Sequence, residues 1–167
     1  MLLVYTGDGK GKTSACVGQA VRAAGRGLPV AFVQFMKADV QAGEQKVLAG
    51  LQGVVLHIGG CGFFLNEKER AQHREAAQRT LAWAEEHLDG LFMLILDEAL
   101  YALGLGLIER PELENLLEQA GQRQVHLVLS GRGLPGWLEE RADLVTEMKE
   151  IRHPWRKGVT AQPGIEF

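Results

Sequence analysis

Cysteine is scarce: the 167 residues hold two, Cys16 and Cys61, far apart and in no CxxC pair. That argues against a disulfide framework or a thiolate metal site and fits two ordinary thiols in a reducing, cytoplasmic setting. No apolar stretch approaches the roughly 18 residues needed to cross a bilayer. No basic leader precedes Leu2-Leu3-Val4-Tyr5, so a soluble, unexported chain with no membrane partner is expected. An excess of positive charge is missing too. The formal net charge is -3, which argues against a nucleic-acid partner, because bulk binding needs many Lys and Arg on phosphates. Repeats, low-complexity tracts and linkers are absent as well. A chain of this length is expected to be one domain, 1–167, burying roughly two-thirds of its unfolded surface without covalent staples.

Glycine is in excess, with 21 residues or about 13% against a usual ~7%. Hydrophobic residues make up 46%, so the glycines point to many tight strand-to-helix turns rather than to disorder. Short apolar runs alternate with longer amphipathic stretches, the signature of strand-helix units around a parallel sheet. Strands are expected at 2–5, 30–35, 53–58, 91–96 and 125–129. Val30-Ala31-Phe32-Val33 and Leu91-Phe92-Met93-Leu94-Ile95-Leu96 are nearly unbroken apolar runs and read as central strands covered on both faces. Helices are expected at 12–25, stopped by Gly25 and Gly27; from Asn66, an N-cap with Glu69 three residues on, to about His87; and from Pro111 to Gly121. Leu144-Val145-Thr146-Glu147-Met148 alternates as an edge strand does. The tail from about 152 ends in Ile165-Glu166-Phe167, apolar enough to pack on the sheet or on a partner subunit.

Between the first strand and the first helix runs Thr6-Gly7-Asp8-Gly9-Lys10-Gly11-Lys12-Thr13. In that context a glycine-rich string is a phosphate cradle. Its glycines let successive N–H groups turn toward phosphate oxygens, and the helix start adds its positive dipole end. Lys12 supplies a mobile charge to the phosphates and Thr13 a hydroxyl for Mg²⁺. The usual pattern, GxxxxGK[ST], has glycine where this chain has Thr6, so the match is to the loop length and the closing GKT. Such a site also needs a carboxylate at the end of a nearby apolar strand. Asp97 and Glu98 offer two, although the same pair would serve as acidic residues in the first turn of a helix. Val128-Leu129-Ser130-Gly131-Arg132-Gly133 brings Arg132 to the rim of the sheet, as a contact for an anionic ligand or as a surface arginine. The five histidines show no metal-ligand spacing, and His126, within a strand, reads as a core residue.

With these motifs the chain resembles the P-loop-type ATP:cob(I)alamin (corrinoid) adenosyltransferases. The resemblance rests on the cradle, Val33-Gln34-Phe35-Met36-Lys37, Leu96-Asp97-Glu98-Ala99, Ser130-Gly131-Arg132-Gly133 and Ala142-Asp143-Leu144-Val145-Thr146-Glu147-Met148. His153-Pro154-Trp155, Gly158 and the ending from Ala161 to Phe167 complete it, in order along nearly the whole chain. It implies an α/β fold of the P-loop NTPase type, three layers α/β/α around a mostly parallel central sheet. The implied reaction moves the 5′-deoxyadenosyl group of ATP to the cobalt of a reduced corrinoid and releases triphosphate, in adenosylcobalamin biosynthesis or salvage. Lys12 and Glu98 are then the catalytic groups, Thr6 to Ser14 with Arg132 bind ATP, and Thr13, Asp97 and Glu98 hold Mg²⁺ or Mn²⁺. The resemblance further implies ATP held in reverse of the usual P-loop direction, an electron donor such as a reduced flavoprotein, and a homodimer.

The corrinoid is expected over Gly60-Cys61-Gly62-Phe63-Phe64-Leu65. Phe63 matches the family's aromatic, whereas Leu65 stands where well-known members carry tryptophan, so Phe64 is the alternative wedge; the same aromatics also read as plain core. Many relatives carry an N-terminal segment that can cover the site. Here the first strand begins at Leu2, and the C-terminal tail is the candidate cover. The competing functions are a P-loop ATPase or small-molecule kinase, and a nucleotide-dependent switch or corrinoid carrier without chemistry.

Overall fold

The computed structural model describes residues 1–38 and 42–165; Glu166 and Phe167, the end of the expected packing tail, lie outside the described residues. Six strands form one sheet: β1 (Leu2–Thr6), β2 (Val30–Gln34), β3 (Val54–Ile58), β4 (Met93–Asp97), β5 (His126–Ser130) and β6 (Leu144–Glu147). They pair in the order β3-β2-β4-β5-β1-β6, and all five pairings are parallel. Parallel neighbours need crossovers, and the crossovers are helices that cover both faces. α1 (Lys12–Ala24) and α2 (Gly43–Gly50) lie on one face. On the other lie α3 (Arg70–Glu86), α4 (Ala99–Gly104), α5 (Arg110–Gln122) and α6 (Gly136–Glu139).

The two-residue period of a strand divides the core. Val4, Val33, Leu94, Leu96 and Leu129 face α3, α4 and α5, packing with Leu81, Ala84, Leu113 and Leu116. Leu3, Phe32, Ile95 and Val128 point the opposite way, onto Cys16, Ala20 and Leu48. Continuous apolar runs therefore fill two separate cores, the three-layer α/β/α arrangement expected from the sequence.

Several boundaries differ from expectation for local reasons. β4 begins two residues later than the apolar run and takes in Asp97. α1 gives way at Gly25, which is still right-handed at φ -63°, and the left-handed turn falls on Gly27 at φ 70°. Asn66 caps a 3₁₀ turn (Glu67–Glu69) by accepting from the Lys68 N–H at 3.0 Å, so α3 proper starts only at Arg70. α5 is entered through a capping box between Glu109 and Glu112 and runs through Gly121, with Gln124 taking the left-handed turn at φ 58°. α2 and α6 were not foreseen, because each is too short to display an apolar stripe, and α2 buries only Gln45 and Leu48; α4 is the helix read as an alternative directly after the acidic pair. His126 is not a core residue: it opens β5 half-buried, with its ring edge-on to Phe92. From Ile151 to Ile165 the tail is exposed apart from half-buried His153, so its described part does not pack on the sheet.

Candidate active site

All-parallel pairing gathers the carboxyl ends of the strands at one rim, where open α/β sheets bind ligands. β5 lies between β1 and β4, so the cradle after β1 and the acidic pair after β4 are two strands, about 10 Å, apart. The first turn of α1 closes that gap. Thr13 Oγ1 donates to Asp97, 3.1 Å from Oδ1 and 3.2 Å from Oδ2. From β5, in between, Ser130 Oγ donates to Asp97 Oδ1 at 2.7 Å and accepts the Glu98 backbone N–H at 3.0 Å. From the far side, Gln34 at the end of β2 donates Nε2 to Asp97 Oδ2 at 3.2 Å, while its own carbonyl oxygen accepts from Gln45 Nε2 at 2.7 Å. Asp97 is fully buried. Burial lifts its pKa, against which the Ser130 bond, the Lys37 charge and the Gln34 and Thr13 bonds hold it down.

Glu98 follows in the left-handed region, φ 61° and ψ 17°, at the entry to α4. For a non-glycine residue that conformation costs roughly 1–2 kcal/mol, and such strain concentrates at functional sites. Desolvation raises the Glu98 pKa and the neighbouring Asp97 charge adds to it, while Lys12, Arg132 and Lys37 oppose the shift. The acidic pair does not lie in the first turn of a helix: Asp97 closes β4 and bonds to the cradle's Thr13, and Glu98 stands at the N-cap position of α4 without a side-chain capping bond.

Within the cradle Lys12 is buried, its ammonium donating to the carbonyls of Gly7 at 2.7 Å and Gly9 at 2.8 Å. Burial lowers its pKa, with Glu98 the largest opposing charge. Thr6 is buried and Gly7, Gly11 and Thr13 half-buried, whereas Asp8, Lys10 and Ser14 are exposed. One expected phosphate donor is already engaged: the Gly9 N–H donates to the carbonyl of Met148 at 2.7 Å. Arg132 lies beside Asp8, 3.5 Å from its carbonyl and 4.0 Å from its carboxylate, at the edge of the cradle rather than on a remote surface.

The segment after β3 divides. Phe63 and Leu65 are 81% and 86% exposed. Phe64 turns inward, edge-on to His73 at 5.4 Å with the Arg70 guanidinium 5.0 Å above it, and so supports the core instead of standing in for an exposed wedge. Sequence reasoning gave no role to Gln34, Ser130 or Met148. A shared signal did exist for the first two: each is a polar residue closing an apolar strand, as Asp97 is.

The hydroxyl and carboxylate oxygens of Thr13, Asp97 and Glu98 are hard donors that fit Mg²⁺, which needs only one or two carboxylates when phosphates and waters complete its shell. Among the described residues no cluster of three His, Cys, Asp or Glu forms a dedicated metal cage, and no helix is long and apolar enough to cross a membrane.

Residues 1–167 match the family described as ATP:corrinoid adenosyltransferase BtuR/CobO/CobP. A corrinoid adenosyltransferase of a Sinorhizobium species is 36% identical over 171 residues, spanning 100% of this chain and 80% of that one. The Pseudomonas aeruginosa enzyme is 36% identical over 174 residues (100% and 83%), and that of Escherichia coli K12 32% over 169 (100% and 85%). Among solved structures, AMPPCP-bound DnaA from Aquifex aeolicus superposes with a TM-score of 0.46 at 15% identity over 93% of this chain and 41% of that one, too loose a match to bear on function. With a family match over its whole length and full-length relatives of one activity, the chain belongs to the ATP:corrinoid adenosyltransferase family and transfers the adenosyl group of ATP to a corrinoid.

Proposed function

We propose that the cradle holds the triphosphate of ATP as a leaving group while the cobalt of a reduced corrinoid attacks the ribose C5′. The cobalt(I) electron pair forms the Co–C bond and the C5′–O pair departs on the triphosphate, so no protein nucleophile is needed. The work of this chain is positioning and charge stabilisation. The observation that supports this reading is the Thr13 hydroxyl seated on the Asp97 carboxylate, with Lys12 buried in the same loop and Glu98 in its field.

Lys12 exchanges the Gly7 and Gly9 carbonyls for phosphate oxygens, the helix start of α1 adds its dipole, and Arg132 reaches the triphosphate from the cradle's edge. Thr13, Asp97 and Glu98 would hold Mg²⁺ or Mn²⁺, which when bound neutralises charge on the departing oxygens. Ser130 and Gln34 fix the Asp97 carboxylate so that it does not reorganise during the reaction. The exposed pair Phe63 and Leu65 offers the corrin ring an apolar surface that excludes water.

A cytoplasmic electron donor such as a reduced flavoprotein supplies the cobalt(I) state. The chain works as a homodimer, a reading supported by Ile151, Trp155 and Ile165, which are 77%, 67% and 70% exposed along the tail.

Product analysis tests the reaction. ATP with chemically reduced cobalamin should give triphosphate and a light-sensitive adenosylcobalamin in equal amounts; ADP and phosphate without alkylcorrinoid would overturn it. Glu98→Gln should lower turnover by about a hundredfold. Phe63→Ala should raise KM for the corrinoid and leave KM for ATP unchanged.

A further inference from the structure

The phosphate loop is braced on the side away from Asp97. β6 and β5 flank β1 on opposite sides, so the chain leaving β6 runs along the outer wall of the cradle. Met148 extends the ladder one residue past β6: its N–H donates to the Thr6 carbonyl at 2.8 Å, and its carbonyl accepts the Gly9 N–H at 2.7 Å. One residue thereby pins the first and middle parts of the loop. The contact is too close for a side chain at Gly7 or Gly9. A Cβ on Gly7 would come within 2.5 Å of the Met148 carbonyl oxygen, and one on Gly9 within 2.6 Å of the same atom and 2.8 Å of the Lys149 carbonyl carbon. At Gly11 the neighbour is the Met148 side chain, with Sδ 3.2 Å from where a Cβ would stand.

We infer that Met148 is a positioning residue for the triphosphate, a brace from the last strand that sets the shape of the phosphate loop, and that Gly7 and Gly9 leave room for this brace. Gly9 carries the point most directly. Its φ lies outside the left-handed region, so its backbone admits alanine, and what excludes a side chain is the backbone of Met148 and Lys149. The brace also accounts for glycines at 7 and 9, where the common pattern accepts any residue, whereas Gly11 is the pattern's own and takes φ 111°. Its geometry further assigns the phosphate-facing amides. With the Gly9 N–H turned outward, the triphosphate is left the amides nearer α1, beside Lys12, and the Met148 thioether packs against the loop where that helix begins. The inference rests on the reading of the loop as a triphosphate holder.

Met148→Ala keeps both backbone bonds and removes the side chain from Gly11; Met148→Leu restores its bulk. Wild-type turnover of ATP with reduced cobalamin checks the function itself. Calorimetric binding of Mg²⁺-triphosphate then checks the loop without reference to the corrinoid. In Met148→Ala, KM for ATP and Kd for triphosphate should rise by about tenfold. KM for the corrinoid should stay unchanged and kcat fall less than about twofold, with Met148→Leu recovering most of the loss. Gly9→Ala, whose Cβ would stand 2.6 Å from the Met148 carbonyl oxygen, tests the backbone contacts that Met148→Ala keeps and should weaken triphosphate binding at least as much. The brace is refuted if Gly9→Ala and Met148→Ala both bind triphosphate as wild type does, if corrinoid and ATP KM rise together, or if Met148→Leu is as impaired as Met148→Ala. Were Met148→Ala too unstable to purify, Met148→Val, apolar but too short to reach Gly11, carries the same comparison with the same outcomes.

Discussion

Ser130→Ala would remove one oxygen that ties the cradle's acid to the turn behind it. That hydroxyl donates to the Asp97 carboxylate at 2.7 Å and accepts the Glu98 N–H at 3.0 Å, and both Ser130 and Asp97 are fully buried. A hydrogen bond to a charged group contributes roughly 1.5–3 kcal/mol and a neutral one about 1, and the buried partners left behind have no water to turn to. The expected loss is about 2.5–4 kcal/mol. In a domain of this size it corresponds to a drop in Tm of about 5–15 °C. Turnover should fall by a further route, because the Glu98 backbone, strained at φ 61°, loses the acceptor that holds it. A carboxylate displaced by about 1 Å costs up to a hundredfold. Differential scanning calorimetry alongside steady-state kinetics tests both. A variant melting within about 2 °C of wild type with normal turnover would mean that the Ser130 bridge carries neither stability nor alignment.

Lys12→Ala should reduce turnover by about 10²–10³-fold. Its melting point should shift little, since the two loop carbonyl bonds lost are offset by relief of a buried ammonium; near-normal turnover counts against the cradle. Arg74 grips Glu112 at 2.7 and 2.9 Å and the Leu107 carbonyl at 2.7 Å, joining α3 to the start of α5. The pair is about three-quarters buried, and Arg74→Met should lower the urea midpoint by the equivalent of about 1–2 kcal/mol at neutral pH. Because the Arg74 bonds hold the Glu112 pKa below its ordinary value, this stability is present above the unfolded value of about 4.3 and is lost as pH falls through the lower folded value. The gap between variant and wild type should therefore close in acid, and one that persists there refutes the ion pair. Finally, an aromatic disulfide reagent should modify half-buried Cys61 in the native protein and reach Cys16 only after denaturation, because Cys16 is fully buried and its thiol pKa is pushed well up. Equal native rates would contradict the packing of α1.

The sequence by itself determined the strands, the cradle and the acidic pair. Apolar runs covered on both faces have no other stable use in a chain this size, and a glycine loop ending in Lys12-Thr13 between strand and helix is a local pattern. The family, too, was legible, because its motifs recur in order along almost the whole length. What the sequence left open depends on which strands become neighbours. Only the order β4-β5-β1-β6 sets Ser130 between the cradle and Asp97 and runs Met148 along the loop's outer wall, and no local pattern encodes a pairing between residues more than a hundred apart. The same holds for Phe64, which the sequence could not distinguish from Phe63: its inward turn is decided by α3, which brings His73 and Arg70 against it. The glycines at 7 and 9 read locally as room for phosphate. The tertiary structure adds a second, closer neighbour, because a strand end from the other terminus of the chain lies within 2.5–2.6 Å of where their side chains would be.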